Sequence, residues 1–109
     1  IGFQMTPEQP LYYSDNCFGT ADAISFKKKY LRIHDLKTGE TATSMNQLFI
    51  YTALFCLEYG FKPTDFETEL RIYQLDDVNI CFPEPDVIFG IMEKIVRFDQ
   101  KIEQIKLGG

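Results

Sequence analysis

The stretch ADAISFKKKYLRIHDLK, residues 21–37, decides how the chain is read. Two extended runs meet at its lysines. Phe18 to Phe26 reads as extended, and Leu31 to Lys37 alternates apolar and polar side chains as a half-buried strand does. A tight turn centred on Lys28 and Lys29 sets an antiparallel register in which Phe26 faces Leu31, Ile24 faces Ile33 and Asp22 faces Asp35. One face of the hairpin then runs from apolar pairs to a pair of carboxylates. Cross-strand neighbours of this kind have Cβ atoms roughly 4.5–5.5 Å apart, within reach of one shared cation. Lys37, two residues beyond Asp35, lies on the same face by the strand period.

Two ionised carboxylates side by side repel unless positive charge sits between them. All-oxygen ligation suits Mg²⁺ or Mn²⁺, which take one or two carboxylates, a backbone carbonyl and waters, and leave positions for a phosphate. The carbonyl of Leu36 is placed in sequence to be such a ligand. A metal held there polarises a phosphate and activates a bound water, while Lys37 orients that water or neutralises developing charge. Each residue alone has a plainer role: Asp22 capping a turn, Asp35 ending a strand, Lys37 in a surface pair. Register, shared face and the apolar-to-acidic gradient together favour the site.

Outward from the hairpin, residues 11–14 (LYYS) read as a short strand followed by turn chemistry at Asp15-Asn16. Thr38-Gly39 ends the third run. Thr43 or Ser44 caps a helix through MNQLFIYTALFCLEY to Tyr59, with Gly60 as its stop and Pro63 beyond. That helix is apolar on nearly every side, so burial on more than one face is expected. Gln47 and Tyr51, four apart, share one face, and their polar ends need partners that the acidic centre or its substrate would provide. Residues 68–74 (TELRIYQ) read as a strand and Asp76 to Pro85 as loop. From Asp86 onward, Val87, Ile88, Ile91, Ile95, Phe98, Ile102 and Ile105 recur at helical steps and mark an amphipathic closing helix. The expected fold is α/β: a small mixed sheet, made of an antiparallel meander plus one further strand, packed by a central buried helix and a C-terminal helix.

Three segments, GTADAI (Gly19 to Ile24), LRIHDLKTG (Leu31 to Gly39) and QLFIY (Gln47 to Tyr51), resemble successive motifs of the PD-(D/E)XK nuclease superfamily in its RecB-like exonuclease branch, common in phages. The resemblance covers about residues 18 to 74. It implies a restriction-endonuclease-like core, with Asp22 as the first metal-binding aspartate, Asp35 as the second acidic ligand, Lys37 as the catalytic lysine, and Gln47 with Tyr51 as the Q-x-x-x-Y pair. The function it implies is Mg²⁺- or Mn²⁺-dependent hydrolysis of DNA phosphodiester bonds, by an exonuclease in recombination, repair or phage DNA processing. Members of this branch usually carry an N-terminal helix, and residues 1–10 (IGFQMTPEQP) are too short and proline-broken to supply it. An N-terminal segment, or a partner protein, is therefore expected to complete the site. The alternative is a catalytically incomplete nuclease-fold binding or assembly module, and a weaker one is an acidic mimic of DNA.

Composition bounds these readings. With 109 residues, 45% hydrophobic and 25% charged, the chain fits one domain with an ordinary core. No run approaches the ~20 apolar residues that span a bilayer, and no signal peptide is evident, so no membrane partner and a cytoplasmic setting, in a bacterial or phage-infected cell, are expected. The chain starts at Ile1 and ends in Gly108-Gly109, as the core of a longer protein would. A net charge of -5 argues against coating nucleic acid by bulk electrostatics, although Lys27, Lys28, Lys29 and Arg32 form a basic cluster that could meet phosphates or be a solvated turn. Cys17, Cys56 and Cys81 lack the pairing of a zinc site or disulfide framework, and an iron–sulfur cluster, held by four cysteines in some relatives, is not expected. Buried free thiols are the expectation. His34 should point away from the acids, and Tyr12, Tyr13 and Phe18 are read as core rather than as base-stacking residues.

Overall fold

The hairpin turn rests on two lysines in left-handed backbone conformations, with φ of 52° at Lys28 and 61° at Lys29. Lys27 pairs with Tyr30, so the loop has two residues, and positive φ at both matches the right-handed twist of the flanking strands. A side chain in this region costs roughly 1–2 kcal/mol per residue, whereas Asn-Gly adopts it readily. Lys28→Asn combined with Lys29→Gly is therefore expected to raise unfolding stability by about 1–2 kcal/mol. An unchanged or lower urea midpoint would contradict that.

The computed structural model describes residues 6–37, 45–74 and 77–108. The elements are β1 (Thr6–Ser14), β2 (Cys17–Lys27), β3 (Tyr30–Lys37), α1 (Met45–Tyr59), β4 (Glu67–Gln74), β5 (Asp77–Cys81) and α2 (Pro85–Gly108). The strands form one sheet in the order β1-β2-β3-β4-β5. Neighbours are antiparallel except β3 and β4, which run parallel and are joined across the sheet face by α1. The protein is thus α/β with a five-stranded mixed sheet and two helices.

Register across the hairpin pairs Ile24 with Ile33 and Phe26 with Leu31, as the sequence indicates. Leu31 and Ile33 of β3, with Leu70 and Ile72 of β4, are buried on one face, which α1 covers with Leu48, Leu54 and Phe55. α2 packs on α1 in turn, so α1 is buried from both directions, and Gly60 ends it at φ 73°. Phe26 closes one end of this core against Phe55, Phe61 and Phe66, with ring centroids 5.2, 5.2 and 5.3 Å away. The capping residues Thr43 and Ser44 and the Thr38-Gly39 break lie outside the described residues.

Several expectations need correction. Residues 77–81 form β5 rather than loop, because β4 offers a free edge with which the short segment DVNIC pairs. β1 begins at Thr6, and its pairing to β2 starts well before the LYYS run. Tyr12 and Phe18 are cross-strand partners and lie 47% and 65% exposed, so neither is a core residue; Tyr13 does pack against the core. On α2 only the Ile88, Ile91, Met92, Ile95 side reaches the core, while Val87, Phe98 and Ile105 face solvent. Leu11 and Ala21 are fully buried although they are out of phase with Ile24 and Phe26, so both faces of β2 contribute buried residues, and α1 contacts β1 as well as β2.

The opposite alternation of β3 and β4 carries a polar cluster. Glu69 accepts hydrogen bonds from Tyr30, Arg32 and Arg71. Against the cost of burial, these donors hold its carboxyl down at about 2. Arg32 is therefore part of this cluster and not of a basic patch with Lys27, Lys28 and Lys29. His34 lies here too, stacked at 5.2 Å on Tyr73, and burial followed by the nearby Arg32 and Arg71 lowers its pKa. Its Nε2 is buried without a hydrogen-bond partner among the described residues, which suits the neutral ring. The three cysteines are free: Cys56 is buried, its thiol pushed up to about 12 by burial and by Asp65, and Cys17 and Cys81 are half-buried. Among the described residues no helix is long and apolar enough to cross a membrane.

Candidate metal centre

The β2–β3 ladder is regular up to the pair Ala23 and His34. One step further, Asp22 and Asp35 meet. Their carboxyl groups lie close enough to shift each other's titration, and the backbone N–H of Leu36 donates to Oδ2 of Asp22 at 2.9 Å. This amide is a positioning group that side-chain patterning does not reveal; only the register, carried one residue past the last regular pair, points to it.

The two acids differ sharply in environment. Asp22 is exposed, whereas Asp35 is 5% exposed beneath α1. Burial and then the adjacent Asp22 push the Asp35 carboxyl above the ordinary carboxylate range, with Lys37 acting in the other direction. The adjacent Asp35 carboxyl and then the Leu36 amide hold Asp22 below that range. Of the two, Asp35 is therefore the carboxyl that takes up a proton first as pH falls. Lys37 brings Nζ to 3.0 Å from Oδ2 of Asp35. That contact is an ion pair without hydrogen-bond geometry: Oδ2 of Asp35 is buried and lacks a hydrogen-bond partner among the described residues.

A buried carboxylate oxygen that has an ion pair but no hydrogen bond keeps acceptor capacity that a further cation could use. The donors at hand fit a hard divalent ion: two carboxylates and a backbone carbonyl. In an extended strand the N–H and C=O of one residue face the same neighbour, so the Leu36 carbonyl faces the Asp22 side along with its amide. No group of three or more His, Cys, Asp or Glu gathers among the described residues, so waters would complete the shell, as Mg²⁺ and Mn²⁺ prefer.

Gln47 and Tyr51 sit on α1, the helix that follows β3. Gln47 Nε2 donates to the Tyr51 hydroxyl at 2.7 Å, so the two polar ends satisfy each other. Tyr51 is nearly buried and Gln47 exposed. The structure therefore groups Asp22, Asp35, Leu36 and Lys37 at the end of the hairpin and gathers Gln47 and Tyr51 as a second unit on the helix. No protein-family model matches the chain, and no curated protein matches it either.

Proposed function

We propose that the chain is the catalytic core of a Mg²⁺- or Mn²⁺-dependent deoxyribonuclease of the PD-(D/E)XK type, in its RecB-like branch, acting as an exonuclease. The observation that carries this reading is the buried Oδ2 of Asp35, orphaned although a second carboxylate and an ammonium flank it. Sheet order supports it as well, since an antiparallel meander, a crossover helix and a parallel fourth strand agree with a restriction-endonuclease-like core.

A bound divalent ion supplies Lewis acidity toward a phosphate oxygen and lowers the pKa of a coordinated water. Asp22 is kept ionised and oriented by the Leu36 amide. Asp22 and Asp35 would hold the ion as carboxylates, so proton and metal would compete for the same oxygens. Lys37, held beside Asp35, stabilises negative charge that develops on the phosphate during attack. Gln47 and Tyr51 would orient the substrate strand from the helix side.

The test is direct. Purified protein, alone and fused to an N-terminal helical segment, is incubated with end-labelled single- and double-stranded DNA, and the fused form should shorten it in Mg²⁺ or Mn²⁺ and stop when EDTA is added. Release of mononucleotides from one end identifies an exonuclease, whereas internal fragments identify an endonuclease. DNA of intact length under every metal condition would sink the proposal and favour the binding or assembly module.

A further inference from the structure

Among the described glycines only Gly60 has positive φ, so Gly19 is not explained by backbone conformation. Its reason is space. A Cβ placed on Gly19 would lie 2.6 Å from Cε1 of Tyr51, 3.2 Å from Cδ1 and 3.6 Å from Cζ. Carbon atoms approach favourably only to about 3.5–4.0 Å, so even a methyl group demands that the ring retreat by about 1 Å. Tyr51 is 9% exposed and lies in the core cluster, leaving its ring little room to move. The same ring ends in the hydroxyl that holds Gln47, and Gly19 lies on β2 three residues before Asp22.

We infer that Gly19 is a positioning residue: its bare backbone seats the Tyr51 ring against β2 and so fixes the Gln47–Tyr51 unit of α1 relative to the strand that carries Asp22. Here two separate elements meet at one contact that no other residue type permits. The seating follows from the packing alone, and its effect on turnover rests on the nuclease reading above.

A double-mutant cycle with Tyr51→Leu tests it. Gly19→Ala in the otherwise unchanged protein should lower kcat for DNA cleavage by about 10- to 100-fold, because a displacement of ~1 Å is costly at a reacting centre. KM should change by less than about threefold, since substrate contacts elsewhere are untouched. With Tyr51→Leu already present there is no ring to displace, so adding Gly19→Ala should cost less than about twofold further. Full kcat in Gly19→Ala, or losses that multiply across the cycle, would overturn the inference. The same cycle read by urea unfolding does not depend on cleavage: Gly19→Ala should lower the midpoint beside Tyr51 and leave it unchanged beside Tyr51→Leu. Equal shifts in both backgrounds would refute the seating itself. A wild-type protein that cuts no DNA would bring down the nuclease reading, yet the unfolding cycle would still decide whether Gly19 seats the ring.

Discussion

Asp35→Asn is expected to reduce metal-dependent cleavage on the order of a thousandfold or more while leaving the fold intact. Losses of that size are typical where a residue belongs to the reacting constellation. The substitution keeps the shape of the side chain but replaces one buried oxygen with a nitrogen that cannot bind a cation. The fold should survive because Asp35 lies past the last regular pair of the hairpin, and Leu31 and Ile33 do the packing. Without metal the variant should be the more stable protein at neutral pH. The folded Asp35 pKa is raised, so the native state binds that proton more tightly than the unfolded chain does. Its stabilising effect is complete at acid pH and is lost as pH rises through the raised folded value. The asparagine has nothing to lose across that rise. Melting curves from about pH 4 to about pH 8 should therefore diverge, with wild type falling behind. Near-wild-type cleavage by pure Asp35→Asn would remove this residue from the site.

Divalent metal should raise the melting temperature of the wild-type protein by about 5–10 °C. Binding to the folded state alone, at tenfold over the dissociation constant, adds ~1.4 kcal/mol. In a domain of this size that corresponds to several degrees. Asp22→Asn/Asp35→Asn should abolish the response, because the paired oxygens are the only two carboxylates joined at this end of the hairpin among the described residues. The response should also weaken as pH falls, since protonation of Asp35, whose carboxyl pKa is raised by burial, competes with the ion. Calorimetric titration with Mn²⁺ provides the companion measurement. An equal shift in wild type and double mutant would show that the ions bind elsewhere.

The hairpin was legible because its information is local. Alternation, two adjacent turn residues and a constant register suffice to bring Asp22 opposite Asp35, and the observed ladder follows them. α1 was legible for a similar reason, as an apolar run closed by Gly60. β5 was not. DVNIC has two strand-favouring residues and neighbouring prolines at Pro83 and Pro85, and it becomes extended only because β4 lies beside it. The exposure of Tyr12 and Phe18 was likewise hidden, since which side of β1 and β2 meets the core is set by where α1 packs and not by residue type. Within the site, side-chain chemistry pointed to the acids and Lys37, but the Leu36 amide has no residue-type signature, since any residue at that position other than proline carries the same N–H.

The outer border of β1 carries one last consequence. A strand at the margin of a sheet normally presents a row of unused backbone donors that can recruit another chain and seed fibrous growth. Tyr12 sends its N–H outward to Oε1 of Glu58 at 2.8 Å, so that donor is already engaged. Pro10, two residues earlier and on the same outward row, has no N–H to offer. At these two positions the margin offers no free donor. The opposite margin, β5, has five residues, with Val78 and Ile80 left 43% and 48% exposed. Aggregation of partly unfolded protein should accordingly start from β5, and a charged residue in place of Val78 is where solubility would be gained.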